Sequence, residues 1–141
     1  MATINPYISF QGNCEDAFNF YKSVFGGEFT YVGRFKDSKE NPGNQISAAD
    51  AEKIMHISLP ISKETVLMGC DSPVSFGDKV IAGNNFSVSI TAESIEEADR
   101  IFNALAVGGK IGVPIGKASW GEYFGMLVDK FGIAWMMSAV L

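Results

Sequence analysis

Residues 13–27 read NCEDAFNFYKSVFGG and predict an amphipathic helix. Their apolar residues recur at the spacing of one helical face, namely Ala17, Phe18, Tyr21, Val24 and Phe25. Asn13 is expected to cap the helix, with Asp16 as its partner in a capping-box-like pair. The Gly26-Gly27 pair is expected to end it, because glycine adopts the left-handed C-terminal conformation at little cost.

Residues 94–109 read SIEEADRIFNALAVGG and repeat this pattern. Ser94 and Glu97 have the spacing of a capping box, and Gly108-Gly109 follows the last apolar residue. The apolar positions of the two helices also align, as Ala98, Ile101, Phe102 and Leu105 match Ala17, Phe20, Tyr21 and Val24. An internal repeat is the favoured interpretation, and chance similarity between two amphipathic helices is the alternative.

The flanking segments extend the repeat to a whole module. An alternating run precedes each helix, at residues 7–10 and 87–90, as expected of a strand with one buried face. Further β-rich runs follow each helix, at 28–35, 53–60 and 65–70 in the first half and at 110–113, 121–129 and 133–138 in the second. Each half therefore predicts the order β-α-β-β-β in an α+β fold. The modules span about 1–72 and 84–141, joined near 71–84, and residues 37–50 are expected to form a loop.

Composition and charge exclude several classes of protein. The 141 residues, of which 47% are hydrophobic and 19% charged, suit one domain that buries a sizeable core. Cys14 and Cys70 are too few for a disulfide framework. The net charge of −5 leaves no basic stripe, so nucleic acid is not an expected partner. Neither a membrane span nor a signal peptide is recognisable, which predicts a cytoplasmic protein with no membrane partner.

A tandem βαβββ repeat of this size resembles the vicinal oxygen chelate superfamily, the glyoxalase and bleomycin-resistance fold. Residues 13–28, together with WGEYFGM at 120–126 and DKFGIAW at 129–135, resemble its PhnB-like branch, also labelled demethylubiquinone methyltransferase-like. The resemblance implies that the strands of each module curl into half of a cup-shaped mixed sheet, with the helices packed outside. It also implies a homodimer, with modules paired within one chain or exchanged between two. No glycine-rich nucleotide loop follows a strand, so no cofactor is expected.

The resemblance also implies where a metal would bind. Enzymes of the superfamily hold one divalent cation through His, Glu or Gln on the first and last strands of each module, and the cation acts as a Lewis acid. The matching positions in this chain are Tyr7 (or Pro6 in a shifted register), one residue of 67–69, Ser87 and Met136. None of these side chains suits a hard divalent cation. We therefore expect no metal at the superfamily's site.

The lone histidine, His56, is the main candidate for chemistry. Side chains alternate between the two faces of a strand. If the core side of this strand carries Met55, Ile57 and Leu59, then the cup side carries Ile54, His56 and Ser58. There an imidazole can orient a ligand or act as a general base, whereas the alternative is a hydrogen-bonded structural histidine.

Two further residue types bear on catalysis. Glu122 is a second weak catalytic candidate, with a surface carboxylate on an edge strand as its alternative. The two cysteines are expected to be unreactive, although a Cys70–His56 pair on neighbouring strands stays open.

The expected ligand-binding residues share aromatic, hydroxyl, imidazole or thioether chemistry: Tyr7, Ser9, His56, Ser58, Ser87, Trp120 and Met136. For Trp120, core or interface packing is the alternative, whereas Trp135 is expected to pack under a helix. Such a set favours a small apolar or mixed metabolite bound without a metal. The alternatives are a metal-dependent or acid/base lyase, isomerase or dioxygenase, and a non-catalytic structural or regulatory dimer.

Overall fold

The computed structural model describes residues 1–37, 47–72 and 79–141. The chain divides into two compact units, Met1–Ile81 (unit 1) and Ala82–Leu141 (unit 2). Parts of the predicted loop and of the predicted join, residues 38–46 and 73–78, lie outside the described residues. That the two modules form one domain stays a prediction.

Unit 1 contains one four-stranded mixed sheet and one long helix. Its elements are β1 (Tyr7–Phe10), α1 (Cys14–Phe25), β2 (Tyr31–Arg34), β3 (Ile54–Pro60) and β4 (Val66–Asp71). A 3-10 turn (Phe35–Asp37) follows β2, and the short helix α2 (Ala48–Ala51) precedes β3. Most of α2 falls within the segment 37–50, where a loop was expected. The strand order is β1-β4-β3-β2, with β1 parallel to β4 and the other neighbours antiparallel.

Unit 2 repeats this topology. Its elements are β5 (Val88–Thr91), α3 (Ile95–Ala106), β6 (Lys110–Lys117), β7 (Glu122–Val128) and β8 (Ala134–Val140). The strand order is β5-β8-β7-β6, and again only the first and last strands of the unit pair in parallel. The repeated βαβββ order and the α+β class predicted from the sequence are therefore confirmed.

The core of each unit lies between its long helix and one face of its sheet. In unit 1 it includes Ile8, Phe10, Ala17, Phe18, Tyr21, Val24, Ile57, Leu59 and Leu67. In unit 2 it includes Ala98, Ile101, Phe102, Leu105, Leu127, Trp135 and Met137. Trp135 is buried, as expected, and its indole N–H donates to Asp129 Oδ2 at 2.8 Å. No helix among the described residues is long and apolar enough to cross a membrane.

The start of α1 corrects one prediction. Asn13 makes no side-chain cap. Instead the buried Asp71, at the end of β4, accepts hydrogen bonds from the backbone N–H of Gly12 at 2.8 Å and of Cys14 at 3.0 Å through Oδ1. Its Oδ2 accepts from the N–H of Ile54 at 3.0 Å. A carboxylate distant in sequence therefore accepts from the first N–H group of the helix, where a side-chain cap from Asn13 was expected.

The start of α3 follows the local prediction more closely. Ser94 Oγ accepts from the N–H of Glu97 at 3.0 Å, which confirms Ser94 as the cap. The Glu97 carboxylate accepts from the N–H of Glu93 rather than of Ser94, at 3.0 Å. At the far ends of the two long helices, Gly26 and Gly108 have φ of 80° and 74°, which glycine adopts most easily.

Candidate functional site

The candidate site lies on the open face of the unit 1 sheet, opposite the face that packs against α1. Register places one row across all four strands of this face: Tyr7 on β1, Met68 on β4, Ser58 on β3 and Tyr31 on β2. The next row contains Ser9 beside Cys70 and His56 beside Gly33. We call these eight residues the open face of unit 1. Successive side chains of a strand point to opposite faces of the sheet, so the apolar side chains that alternate with these residues are buried on the face toward α1.

His56 is held at both ring nitrogens. Its Nδ1 lies 3.3 Å from the phenol oxygen of Tyr7, and its Nε2 lies 2.9 Å from Ser58 Oγ. Two aromatic rings flank the imidazole, with centroid distances of 5.5 Å to Tyr7 and 5.6 Å to Tyr31. Both tyrosine side chains are 50% exposed. The structure thus brings together three of the residues that the sequence singled out, and fixes the orientation of the imidazole.

The surroundings of Tyr7 further favour the neutral form of its phenol, which predominates at neutral pH even in free tyrosine. Burial, and then the Cys70 side chain, raise the pKa of the Tyr7 phenol. The phenol therefore keeps its proton at neutral pH and can donate a hydrogen bond. On the same face, Ser9 Oγ lies 3.9 Å from Cys70 Sγ.

The two cysteines occupy different environments. Cys14 is fully buried in the core, and burial, followed by the charge of Asp71, raises the pKa of its thiol. A raised pKa disfavours the nucleophilic thiolate. Cys70 lies on the open face, on the strand next to that of His56.

The expectation for Ile54 is wrong. Its side chain is fully buried in the core, although simple alternation turned it to the same face as His56. The register between β2 and β3 shifts at this point, so that Gly33 pairs with His56 but Arg34 pairs with Ile54. Met55 is the extra residue of this bulge, and a bulge changes which side chains share a face.

The remaining predicted residues lie in unit 2. Ser87 is half-buried just before β5, and the half-buried Met136 lies on β8 opposite Ser89. The exposed Trp120 donates its indole N–H to Glu122 Oε2 at 3.2 Å, and its ring meets Phe124 edge-on at 5.3 Å.

Glu122 begins β7, which is an inner strand, so its interpretation as a residue of an edge strand is wrong. His56 and Glu122, the two catalytic candidates, belong to different units.

Sequence reasoning missed Tyr31. The short run YVGR at residues 31–34 shows little alternation, and only the pairing of β2 with β3 brings Tyr31 beside His56. The one available signal was a β-forming aromatic residue two positions before a glycine.

The residues at the superfamily's metal positions do not fit a hard divalent cation. In unit 1, Tyr7 keeps its proton and contacts His56, and its neighbour on β4 is the thioether Met68. In unit 2 the positions carry the hydroxyl of Ser87 and the thioether of Met136. Within residues 1–37, 47–72 and 79–141, no three His, Cys, Asp or Glu side chains are grouped so as to hold an ion. Neutral phenol and thioether groups are poor ligands for such cations.

Comparison with known proteins agrees with the architecture. The chain is 32% identical over 144 residues to protein YjdN of Escherichia coli K12, covering 97% of this chain and 95% of that protein. Protein PA1353 from Pseudomonas aeruginosa has a crystal structure that is similar with a TM-score of 0.83 at 36% identity, covering 99% and 98% of the two chains. The PhnB protein from Bacillus cereus is similar with a TM-score of 0.77 at 27% identity, covering 99% and 100%.

More distant glyoxalase/bleomycin resistance proteins share the fold, with TM-scores of 0.62 to 0.64 at 10% to 16% identity. The model of one protein family matches residues 2–138, almost the whole chain. Its description is 3-demethylubiquinone-9 3-methyltransferase, the label that the PhnB-like branch carries. The chain therefore belongs to this family, and it shares the fold of the glyoxalase/bleomycin resistance proteins.

Proposed function

We propose that this PhnB-like protein binds a small apolar or mixed metabolite on the open face of unit 1, without a divalent metal. One observation carries the proposal: His56 is fixed by two neutral hydroxyl groups between two half-exposed tyrosine rings. Ligand sites combine apolar and aromatic surface with a few placed polar groups, and this face has both. Ser9 adds a further hydroxyl.

Binding is favoured over acid/base catalysis. In the described part of unit 1, no carboxylate contacts His56, and both of its nitrogens face hydroxyl groups. A general base is usually oriented and made more basic by an acidic partner. Lyase, isomerase or dioxygenase activity, with His56 and Glu122 as candidates, and a non-catalytic dimer are the alternatives.

Methyl transfer, the activity in the family's description, is not part of the proposal. The turn between β1 and α1, at residues 11–13, contains a single glycine and has no glycine-rich loop for a nucleotide-like donor.

The proposal includes three further elements. Ser87, Trp120 and Met136 supply a second set of ligand-binding side chains in unit 2. The protein is located in the cytoplasm, and it forms a homodimer, as its resemblance to the superfamily implies. Light scattering coupled to size-exclusion chromatography measures the mass of the particle and tests the dimer directly.

Nuclear magnetic resonance tests the proposed site. Uniformly labelled protein is titrated with a chemically diverse set of uncharged and charged small molecules, and amide shifts are followed. We expect binders to shift the amides of β2 and β3 around His56, and we expect His56→Ala to raise their Kd about tenfold, the cost of a lost polar contact. Ser62→Ala, in the exposed turn between β3 and β4, is the matched control. Binding that leaves these amides unmoved, or that His56→Ala does not weaken, would contradict the proposed site.

Measuring the metal content of the purified protein tests the proposal that no divalent metal takes part in binding. Protein purified without an affinity tag is dialysed against Zn²⁺, Mn²⁺, Ni²⁺ and Fe²⁺, and its metal is quantified. We expect less than stoichiometric metal. One equivalent retained after dialysis, and lost in His56→Ala, would make a Lewis-acid enzyme the better proposal.

A further inference from the structure

Tyr31 lies across Gly33 on strand β2. A Cβ added at Gly33 would lie 2.8 Å from both Cε1 and Oη of Tyr31, which is too close. The absence of a side chain at this position therefore leaves the space in which the ring rests. Because Gly33 pairs with His56 in the register, the ring comes to lie beside the imidazole. The glycine thus positions the aromatic ring.

Tyr31 also differs from the other hydroxyl-bearing residues around His56. The hydroxyls of Tyr7 and Ser58 both contact the imidazole, whereas the Tyr31 hydroxyl makes no hydrogen bond within the described residues. Half of the Tyr31 side chain is exposed. It therefore offers a ring face and a hydroxyl that a ligand can reach without breaking an existing hydrogen bond.

The open face of unit 1 carries no acidic side chain, no lysine and no arginine. Its eight positions carry no carboxylate, ammonium or guanidinium group: Tyr7, Ser9, Tyr31, Gly33, His56, Ser58, Met68 and Cys70. A cation that lost water here would find no carboxylate, and an anion would find no ammonium or guanidinium group, so the binding of either is costly. An uncharged ligand pays no such cost, and the hydroxyls can satisfy its polar group.

We infer that Tyr31 determines ligand specificity, and that the ligand is a flat, uncharged ring that carries a hydrogen-bonding oxygen or nitrogen. The ring stacks against Tyr31 beside His56, and its polar atom bonds to the hydroxyls of this face. Flat rings gain stacking energy on an aromatic side chain that saturated rings of similar size do not. The inference rests on the proposed function and names the ligand class for that site.

Four matched probes test the ligand class. 2-Naphthol is flat, uncharged and has a hydroxyl, whereas naphthalene lacks the hydroxyl, decahydro-2-naphthol is not flat, and 2-naphthoate is charged. Amide shifts of the labelled protein give the site of binding and the Kd of each probe. We expect 2-naphthol to bind at the open face with a Kd about tenfold lower than each of the other three.

Three variants test the role of Tyr31. Tyr31→Ala removes the ring and is expected to raise the Kd of 2-naphthol about tenfold, while leaving decahydro-2-naphthol within about threefold. Gly33→Ala keeps the ring but displaces its far end, so it too is expected to weaken 2-naphthol, by about threefold or more. Val32→Ala, on the opposite side of the same strand, is the matched control and is expected to leave the Kd unchanged. Far-ultraviolet circular dichroism of each variant verifies the fold.

The outcomes separate this inference from the proposed function. If a probe binds at the open face but Tyr31→Ala and Gly33→Ala leave its Kd unchanged, Tyr31 does not determine specificity. If 2-naphthoate or decahydro-2-naphthol binds as well as 2-naphthol, the ligand class is wrong, and the site survives. If 2-naphthol fails to shift the open face while other compounds shift it, the inference again fails alone. If no compound of either set shifts it, the inference and the proposed function both fail.

Discussion

Replacing Asp71 tests how unit 1 is held together. The carboxylate accepts three backbone hydrogen bonds, from Gly12 and Cys14 at the start of α1 and from Ile54 at the start of β3. It is 3% exposed, so water cannot replace these bonds without local opening. Each hydrogen bond to a charged group contributes about 1.5–3 kcal/mol. Because the three share one carboxylate and are not additive, we expect Asp71→Ala to lower the free energy of unfolding by about 4 kcal/mol.

Asp71→Asn refines the test. The amide keeps one oxygen for Gly12 and Cys14 but turns an N–H₂ group toward the N–H of Ile54. One donor is left unsatisfied, so we expect a loss of about 2 kcal/mol. Asp16→Asn is the control, because Asp16 is exposed in the first turn of α1. Its free energy of unfolding is expected to change by less than about 1 kcal/mol.

Urea denaturation is the assay, because its midpoint and slope separate stability from compactness. Circular dichroism follows the helices of both units, whereas Trp120 and Trp135 report on unit 2 alone, since the chain has no other tryptophan. A loss below about 1 kcal/mol in Asp71→Ala would refute the reasoning, because the N–H groups of Gly12, Cys14 and Ile54 would then have found other partners.

Three further predictions concern local features. Ser94→Ala should lower the free energy of unfolding by about 1 kcal/mol in urea denaturation, whereas Asn13→Ala should leave it within about 0.5 kcal/mol, because only Ser94 makes a side-chain cap. Hydrogen bonds from Arg34 lower the pKa of the Glu15 carboxyl, so their stabilisation is present above the unfolded-state pKa of that carboxyl and is lost as the pH falls through its folded-state pKa. Arg34→Gln should accordingly lower the melting temperature at neutral pH, by the equivalent of no more than about 1 kcal/mol. The difference should shrink in acid to what the remaining hydrogen bond from Arg34 to the Glu52 carbonyl contributes. A thiol reagent should modify Cys14 only after unfolding, so Cys14→Ala should leave the native reaction unchanged and reduce the denatured one by one equivalent.

Local signals predicted the architecture well. The stripes that end in Val24 and Leu105 form the buried faces of α1 and α3, and alternation correctly turned Tyr7 and Ser9 away from the core. These features depend on neighbours within one or two turns of helix, or on alternate residues of one strand. Periodicity therefore contains the necessary information.

Three of the misses depend on residues that are distant in sequence. Asp71 replaces Asn13 at the start of α1 because β4 ends beside the helix, which no local pattern states. The bulge at Met55 turns the Ile54 side chain to the core face, because the register between β2 and β3 shifts at that point. Tyr31 lies beside His56 because β2 pairs directly with β3, on which Ser58 is the partner of Tyr31. Pairing register determines the candidate site, and a shift of one residue moves a side chain to the other face of the sheet. The short strand β2 alternates too weakly to show where its register shifts.

The parallel pairing of the first and last strands has a consequence for synthesis and for gene history. In each unit the sheet is complete only when its final strand lies beside its first, as Tyr7 does beside Met68. During translation, the opening strand of a unit must therefore wait, with its edge unpaired, until the whole module has left the ribosome. For the same reason, a gene segment that encodes one module supplies both partners of that pairing. Duplicating such a segment adds a complete four-stranded sheet, and the original copy loses none of its own strand partners.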